Sequence, residues 1–189
     1  QLRKLGSMGR ECLGTDVIKL LDEKGNEVPV GEVGELYSRG PMMFDEYYKE
    51  PEKTRSSFRG EFFSAGDMVK RDEEGYYYMV ERKDNMIITG GEHVYPSEVE
   101  EIISQHPKVF DVAVIGVPDD MWGEAVKAVV VLKEGETATK EEIIEWCRGK
   151  MAGFKKPKSV DFVCDSEMPR TTTGKILHRK LREKYSQPL

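Results

Sequence analysis

The stretch VFDVAVIGVPDDMWGEAVKAVVVL, residues 109–132, decides the fold of the longer half of this chain. Val109–Val117 and Ala125–Leu132 are rich in β-branched residues and almost continuously apolar, the composition of strands covered on both faces. Working back from them, Met86–Thr89, Gly90-Gly91 and His93–Tyr95 spell a hairpin turned on two glycines. Pro96 then opens a helix whose Val99, Ile102 and Ile103 recur at helical spacing, and Pro107 closes it. Working forward, Thr139-Lys-Glu-Glu142 is a capping box, and Ile143, Trp146 and Cys147 form that helix's inner face. Ser159–Val163 predicts a third strand and Lys175–Tyr185 a basic terminal helix. Residues 84–189 thus read as an α+β domain with a β-hairpin, a three-stranded sheet and helices.

Residues 1–83 have another style. Gly14–Leu21, Val33–Ser38, Glu61–Arg71 and Tyr76–Arg82 are strand-like, with turn residues at Glu23–Asn26 and Asp72–Gly75. Pro51 opens a short helix over Glu50–Phe58. This half is a small β-rich subdomain, and the style changes at Lys83–Asp84.

Of the 189 residues, 38% are hydrophobic and 34% charged, enough for a core and against long disorder. No apolar run approaches the ~20 residues of a membrane span, and no signal peptide opens the chain. A start at Gln1 without Met suggests a piece of something longer. Cys12, Cys147 and Cys164 have neither disulfide nor metal-ligand spacing, so a reducing cytoplasm and no metal site are expected. Residues 148–189 carry 11 Lys and Arg against 4 Asp and Glu, whereas the whole chain has a net charge of −6. The basic end suits an anionic partner, a phosphorylated small molecule or a nucleic acid, or is an ordinary solvated face.

Four spots are poorly explained as core or plain surface. Asp67 follows Ser64-Ala-Gly66, and its carboxylate could accept both hydroxyls of a ribose, or serve as a turn residue. Glu81-Arg-Lys-Asp84-Asn joins the halves; Arg82 could reach a ribose or phosphate and Asp84 could absorb a backbone rotation, or the five could be a polar linker. Thr89-Gly-Gly-Glu92 lets a backbone pass close to a ligand, or is simply a tight turn. Pro169-Arg-Thr-Thr-Thr-Gly-Lys175 lacks the first glycine and the Ser/Thr of a Walker loop, leaving a loop that could deliver one ammonium. The histidines form no constellation, and His106 at a helix end reads as a cap or dipole partner.

In this order, the four spots resemble the adenylate-forming enzymes: acyl-CoA synthetases, peptide-synthetase adenylation domains and luciferases. Gly34–Gly40 with Tyr47-Tyr48 resembles the family's G-E-L segment, and Phe63–Asp67 its Y-x-T-G-D, with Phe63 in the Tyr place and Ser64-Ala65 where x-Thr stands. Glu81–Asp84 resembles G-R-x-D with Glu in the Gly place, and Pro169–Lys175 resembles P-x-T-x-x-G-K. Gly90–Glu100 resembles the glycine hairpin and helix in the form of acyl-CoA ligases, most like those for medium- and long-chain fatty acids.

The resemblance implies roles. Asp67, assisted by Arg82, would bind the ribose of ATP and AMP; Asp84 would be the hinge of a mobile C-terminal domain. Lys175 would serve acyl-adenylate formation, and Gly90, Gly91 and Glu92 would line the tunnel admitting coenzyme A. It also implies ATP, Mg²⁺, coenzyme A and a carboxylic acid as substrates or ions of the full enzyme. The phosphate loop and acyl pocket would lie upstream of Gln1, so the chain alone should be inactive, its partner being that N-terminal region. A carrier protein in place of coenzyme A is the alternative within the family. A nucleic-acid-binding module is the alternative outside it, and leaves Asp67 and the glycine hairpin unexplained.

Overall fold

The computed structural model describes residues 4–11 and 17–186, and the chain divides into two units, Gln1–Asp84 and Asn85–Leu189. In the first unit, β1 (Val17–Leu21), β2 (Val33–Arg39), a short helix α1 (Pro51–Ser57), β3 (Phe58–Arg59), β4 (Phe62–Phe63), β5 (Asp67–Arg71) and β6 (Tyr77–Arg82) follow in order. The strands form one six-stranded antiparallel sheet, ordered β3-β4-β2-β5-β6 with β1 also on β2. Leu20, Val69 and Tyr77 are its buried core.

Two expectations need correcting here. The strand expected over Glu61–Arg71 is broken between β4 and β5, because Gly66 takes φ +80° and Ser64 turns inward to bond Glu35. Of the strand expected over Gly14–Leu21, Val17–Leu21 is observed; residues 14–16 and Cys12 lie outside the described residues.

The second unit contains β7 (Ile87–Thr89), β8 (Glu92–Val94), α2 (Pro96–Ser104), β9 (Val109–Asp119), β10 (Gly123–Leu132), α3 (Lys140–Trp146), β11 (Ser159–Phe162) and α4 (His178–Tyr185). β10 is the spine, antiparallel to β9 and parallel to β11. The expected hairpin and three-stranded sheet are one five-stranded sheet, since Thr89 of β7 pairs with Gly123 of β10.

Alternation along the spine explains the continuous apolar runs. Val112, Val114, Val126, Ala128 and Val130 face one side, packing with Val99 and Ile103 of α2 and Ile143 of α3. Ala113, Ile115, Val129 and Val131 face the other, against Met168 and Leu181 of α4. Both faces are covered along the middle of the strands, which accounts for the runs of apolar residues there, while Asp111 and Lys127 keep charged partners in Arg170 and Asp161.

Helix starts follow local chemistry. The Thr139 hydroxyl accepts the Glu142 amide at 3.1 Å, the expected cap of α3, while the Glu142 carboxylate also takes the Lys108 ammonium at 2.9 Å. The terminal helix begins at His178 rather than Lys175. The residues before it form a turn instead, with Gly174 at φ +87° and Ile176 bridged to Arg170. Of the cap or dipole role expected for His106, the cap is found: its Nδ1 accepts the Lys108 amide at 3.3 Å, the ring is 5% exposed and edge-on to Trp146, and burial pushes its pKa down. Among the described residues no helix is long and apolar enough to cross a membrane.

Candidate functional site

In the first unit, antiparallel pairing sets Asp67 at the start of β5 directly opposite Arg82 at the end of β6. The guanidinium donates to the carboxylate at 2.6 Å, and both side chains remain partly exposed. A register shift between Met68 and Val69 lies just inside this pair and re-aims the strand end. Beneath it, Glu35 of β2 accepts the Ser64 hydroxyl and the Lys83 ammonium, each at 2.7 Å. Ser64 Oγ accepts the Gly66 amide at 3.0 Å, and Gly66 O accepts the Lys83 amide at 2.8 Å. Burial pushes the Glu35 pKa up, but the hydrogen bonds from Lys83 and Ser64 outweigh it and leave the carboxyl below its ordinary value. The loop presenting Asp67 is therefore locked from below while Asp67 itself is held by one exchangeable surface ion pair. Glu35 is a residue the reading of single spots passed over. It lies in the G-E-L segment, but its partner Ser64 is 29 positions away.

Asp84 is exposed in a 3₁₀ turn, Lys83–Asn85. Its neighbours are held: Lys83 by Glu35, and Asn85 through its side-chain oxygen, which accepts from Arg182 of α4 at 3.2 Å.

In the second unit, Gly90 and Gly91 form the two-residue turn between β7 and β8, with φ +59° and +85°. The Gly90 amide donates to Trp122 O at 2.8 Å, and a Cβ on Gly90 would lie 2.6 Å from the Trp122 ring. A Cβ on Gly91 would meet open space. Trp122 is 47% exposed, with the Lys158 ammonium 4.8 Å from its ring centre. Asp119 holds this corner: its carboxylate accepts the Trp122 and Met121 amides at 3.0 Å, and those bonds lower its pKa. Glu92 is exposed at the start of β8.

Lys175 is exposed beyond a tight turn. Thr171 N donates to Lys175 O at 2.8 Å, Lys175 N to Thr171 Oγ1 at 3.1 Å, and Leu177 N to Pro169 O at 2.8 Å. Among the described residues its ammonium forms no ion pair, whereas Arg148, Lys155, Lys158, Arg170 and Arg179 each face a carboxylate. Five of the eleven basic residues at this end are thus paired with carboxylates.

Asp67 and Arg82 are brought together. Lys175 and the glycine turn are instead set apart along β9: the Lys175 loop is tied to Asp111 through Arg170, and the turn abuts the Asp119 end. Eight residues of strand separate those anchors, roughly 26 Å.

Residues 98–175 match the AMP-binding enzyme C-terminal domain family. The chain carries such a domain. Over 185 residues it is 44% identical to the long-chain-fatty-acid–CoA ligase FadD13 of Mycobacterium tuberculosis, covering 98% of this chain and 36% of that protein. Over 182 residues it is 42% identical to a feruloyl-CoA synthase of Amycolatopsis, covering 96% and 36%. The fold is similar to that of ATP-bound MatB from Rhodopseudomonas palustris, with a TM-score of 0.87 and 41% identity over 96% of this chain and 36% of that one. The chain thus spans about a third of the length of these relatives.

Proposed function

We propose that this chain is the C-terminal part of an ATP-dependent acid–thiol ligase that activates a carboxylic acid, such as a fatty acid, as acyl-AMP and passes it to coenzyme A. The observation that carries this reading is the exposed Lys175 ammonium toward one end of β9 with a glycine turn, open at Gly91, at the other. The acid's oxygen attacks the α-phosphorus, the bond to pyrophosphate breaks, and Lys175 offers positive charge where negative charge gathers. In the second step the thiol sulfur attacks the acyl carbon and AMP leaves; Gly90 and Gly91, lacking side chains, and Glu92 would flank the thiol's path.

Asp67 fits a ribose because an ionised carboxylate accepts two hydroxyl donors, and Arg82 can then turn to the nucleotide. Asp84 suits a hinge, being an exposed residue between two tethered ones at the division between units. The exposed face of Trp122 beside Lys158 suits a nucleotide's base and phosphate. Among the described residues no three His, Cys, Asp or Glu side chains gather as a metal site. The proposed partner is an N-terminal region supplying the phosphate loop and acyl pocket, in a cytoplasmic enzyme. Free coenzyme A is preferred over a carrier protein on the Pro96-Ser-Glu-Val-Glu100 form of the hairpin's exit.

The test is a pair of half-reactions in the full-length ligase. Lys175→Ala should abolish ATP- and acid-dependent pyrophosphate release while sparing thioester formation from supplied acyl-adenylate; equal loss of both would refute the assignment. Pyrophosphate release by the isolated 189-residue chain would likewise overturn the dependence on an N-terminal region.

A further inference from the structure

Lys175 sits in an exposed loop whose internal hydrogen bonds close the turn over residues 169–177 but do not by themselves tie it to the sheet. Both ends are fixed. Met168 before it and Leu181 after it are buried in the same apolar cluster against β9 and β10. Between those feet, two side chains reach from the loop to β9 and α2.

At the entry, Arg170 uses its planar fork. One terminal nitrogen donates to Asp111 of β9 and, at 2.9 Å, to Asp165; the other donates to the carbonyl of Gly174, next to Lys175, at 3.3 Å. Its side chain is only 27% exposed. A guanidinium can serve these three acceptors at once, whereas a lysine offers one compact charge. At the exit, His178 Nε2 meets Glu100 Oε1 at 2.7 Å, and that same oxygen accepts the Val114 amide of β9 at 2.8 Å. The Glu100 carboxylate is thereby pinned to the strand, and His178 through it. The two ties land three residues apart on β9, roughly 10 Å.

Resting on the role proposed for Lys175, we infer that Arg170 and His178 are positioning residues: through Asp111, Asp165 and Glu100 they fix the Lys175 loop to β9, so that the ammonium travels with the domain as a rigid part. Displacement of a reacting group by about 1 Å can cost ~100-fold in rate, and an untethered loop of this size would wander by more.

The experiment uses the full-length ligase with Arg170→Ala, Arg170→Lys, Asp111→Asn and His178→Ala, reading adenylation, thioester formation from supplied acyl-adenylate, and hydrogen exchange over residues 169–177. Arg170→Ala should lower the adenylation kcat by ~10- to 100-fold, leave thioester formation within about twofold, and speed exchange in the loop. Arg170→Lys should recover part of the rate. Asp111→Asn combined with Arg170→Ala should cost no more than Arg170→Ala alone, and His178→Ala should act in the same direction but less. Equal loss in both half-reactions, or unchanged loop exchange, would show a merely structural role and overturn the inference. Faster exchange with adenylation intact, while Lys175→Ala abolishes it, would overturn the inference alone. If Lys175→Ala itself leaves adenylation intact, the lysine's role fails and the inference falls with it.

Discussion

The glycine turn of β7–β8 and the Lys175 loop are two exposed turns of one domain, built on opposite plans. The turn is shaped mainly by backbone, two positive-φ glycines and a ladder pair at Thr89 and Glu92, with one nearby side chain, the indole laid over Gly90. The loop is shaped by side chains that reach long distances, Arg170 to Asp111 across 59 positions and His178 to Glu100 across 78. The first plan leaves main chain exposed at Gly91 and has no room for an added atom at Gly90. The second holds a long cation out to solvent and tolerates changes at its tip, but not at its ties.

Breaking each plan should break a different reaction. The largest effect expected is on the loop: Lys175→Ala in the full-length ligase should take adenylate formation below detection, a loss of at least ~10²- to 10³-fold, the scale of losing one preorganised charge partner. Asp84→Pro comes next. Fixing φ in the Lys83–Asn85 turn should suppress one half-reaction far more than the other, read by comparing pyrophosphate release with thioester formation. In the turn, Gly90→Ala should impair thioester formation selectively, because its Cβ would strike Trp122. It should also cost more stability in denaturant titration than Gly91→Ala. The latter meets open space and carries only the left-handed backbone penalty, about 1–2 kcal/mol. Equal costs at the two glycines would remove the indole's part in the comparison.

The smallest effect separates neither turn but calibrates both. Burial lowers the His106 pKa, so the folded chain prefers the neutral ring. The unfolded chain then binds the proton more readily. Stability is full above the unfolded value of roughly 6.5 and falls as pH drops from there through the lower folded value. Denaturation midpoints between pH 7 and pH 5 should show this decline, and His106→Gln should flatten it.

What could be read from sequence divides along the same line. The hairpin at Gly90-Gly91, the helices opened by Pro96 and Thr139, and the strands around β10 depend on local chemistry and periodicity, and all are found. The pairing of Asp67 with Arg82 follows from one short hairpin, 15 positions apart. Glu35 beneath that hairpin, and the carboxylates that tie Arg170 and His178, were not legible, because nothing local marks which of 35 acidic residues meets which base. The helix start at Lys175 was misplaced for a related reason: helical composition continues back through Ile176, but tertiary anchoring at Arg170 and Leu181 pulls those residues into a turn.

The indole over Gly90 has an optical consequence. The chain has two tryptophans, and Trp146 is the more sheltered, its ring nitrogen bonded to Ile102 O at 2.8 Å and Lys150 beside its face. With Trp146→Phe, emission would come from Trp122 alone, so that if the proposed thiol path runs past Gly90, arrival of coenzyme A could be timed by stopped flow without a label.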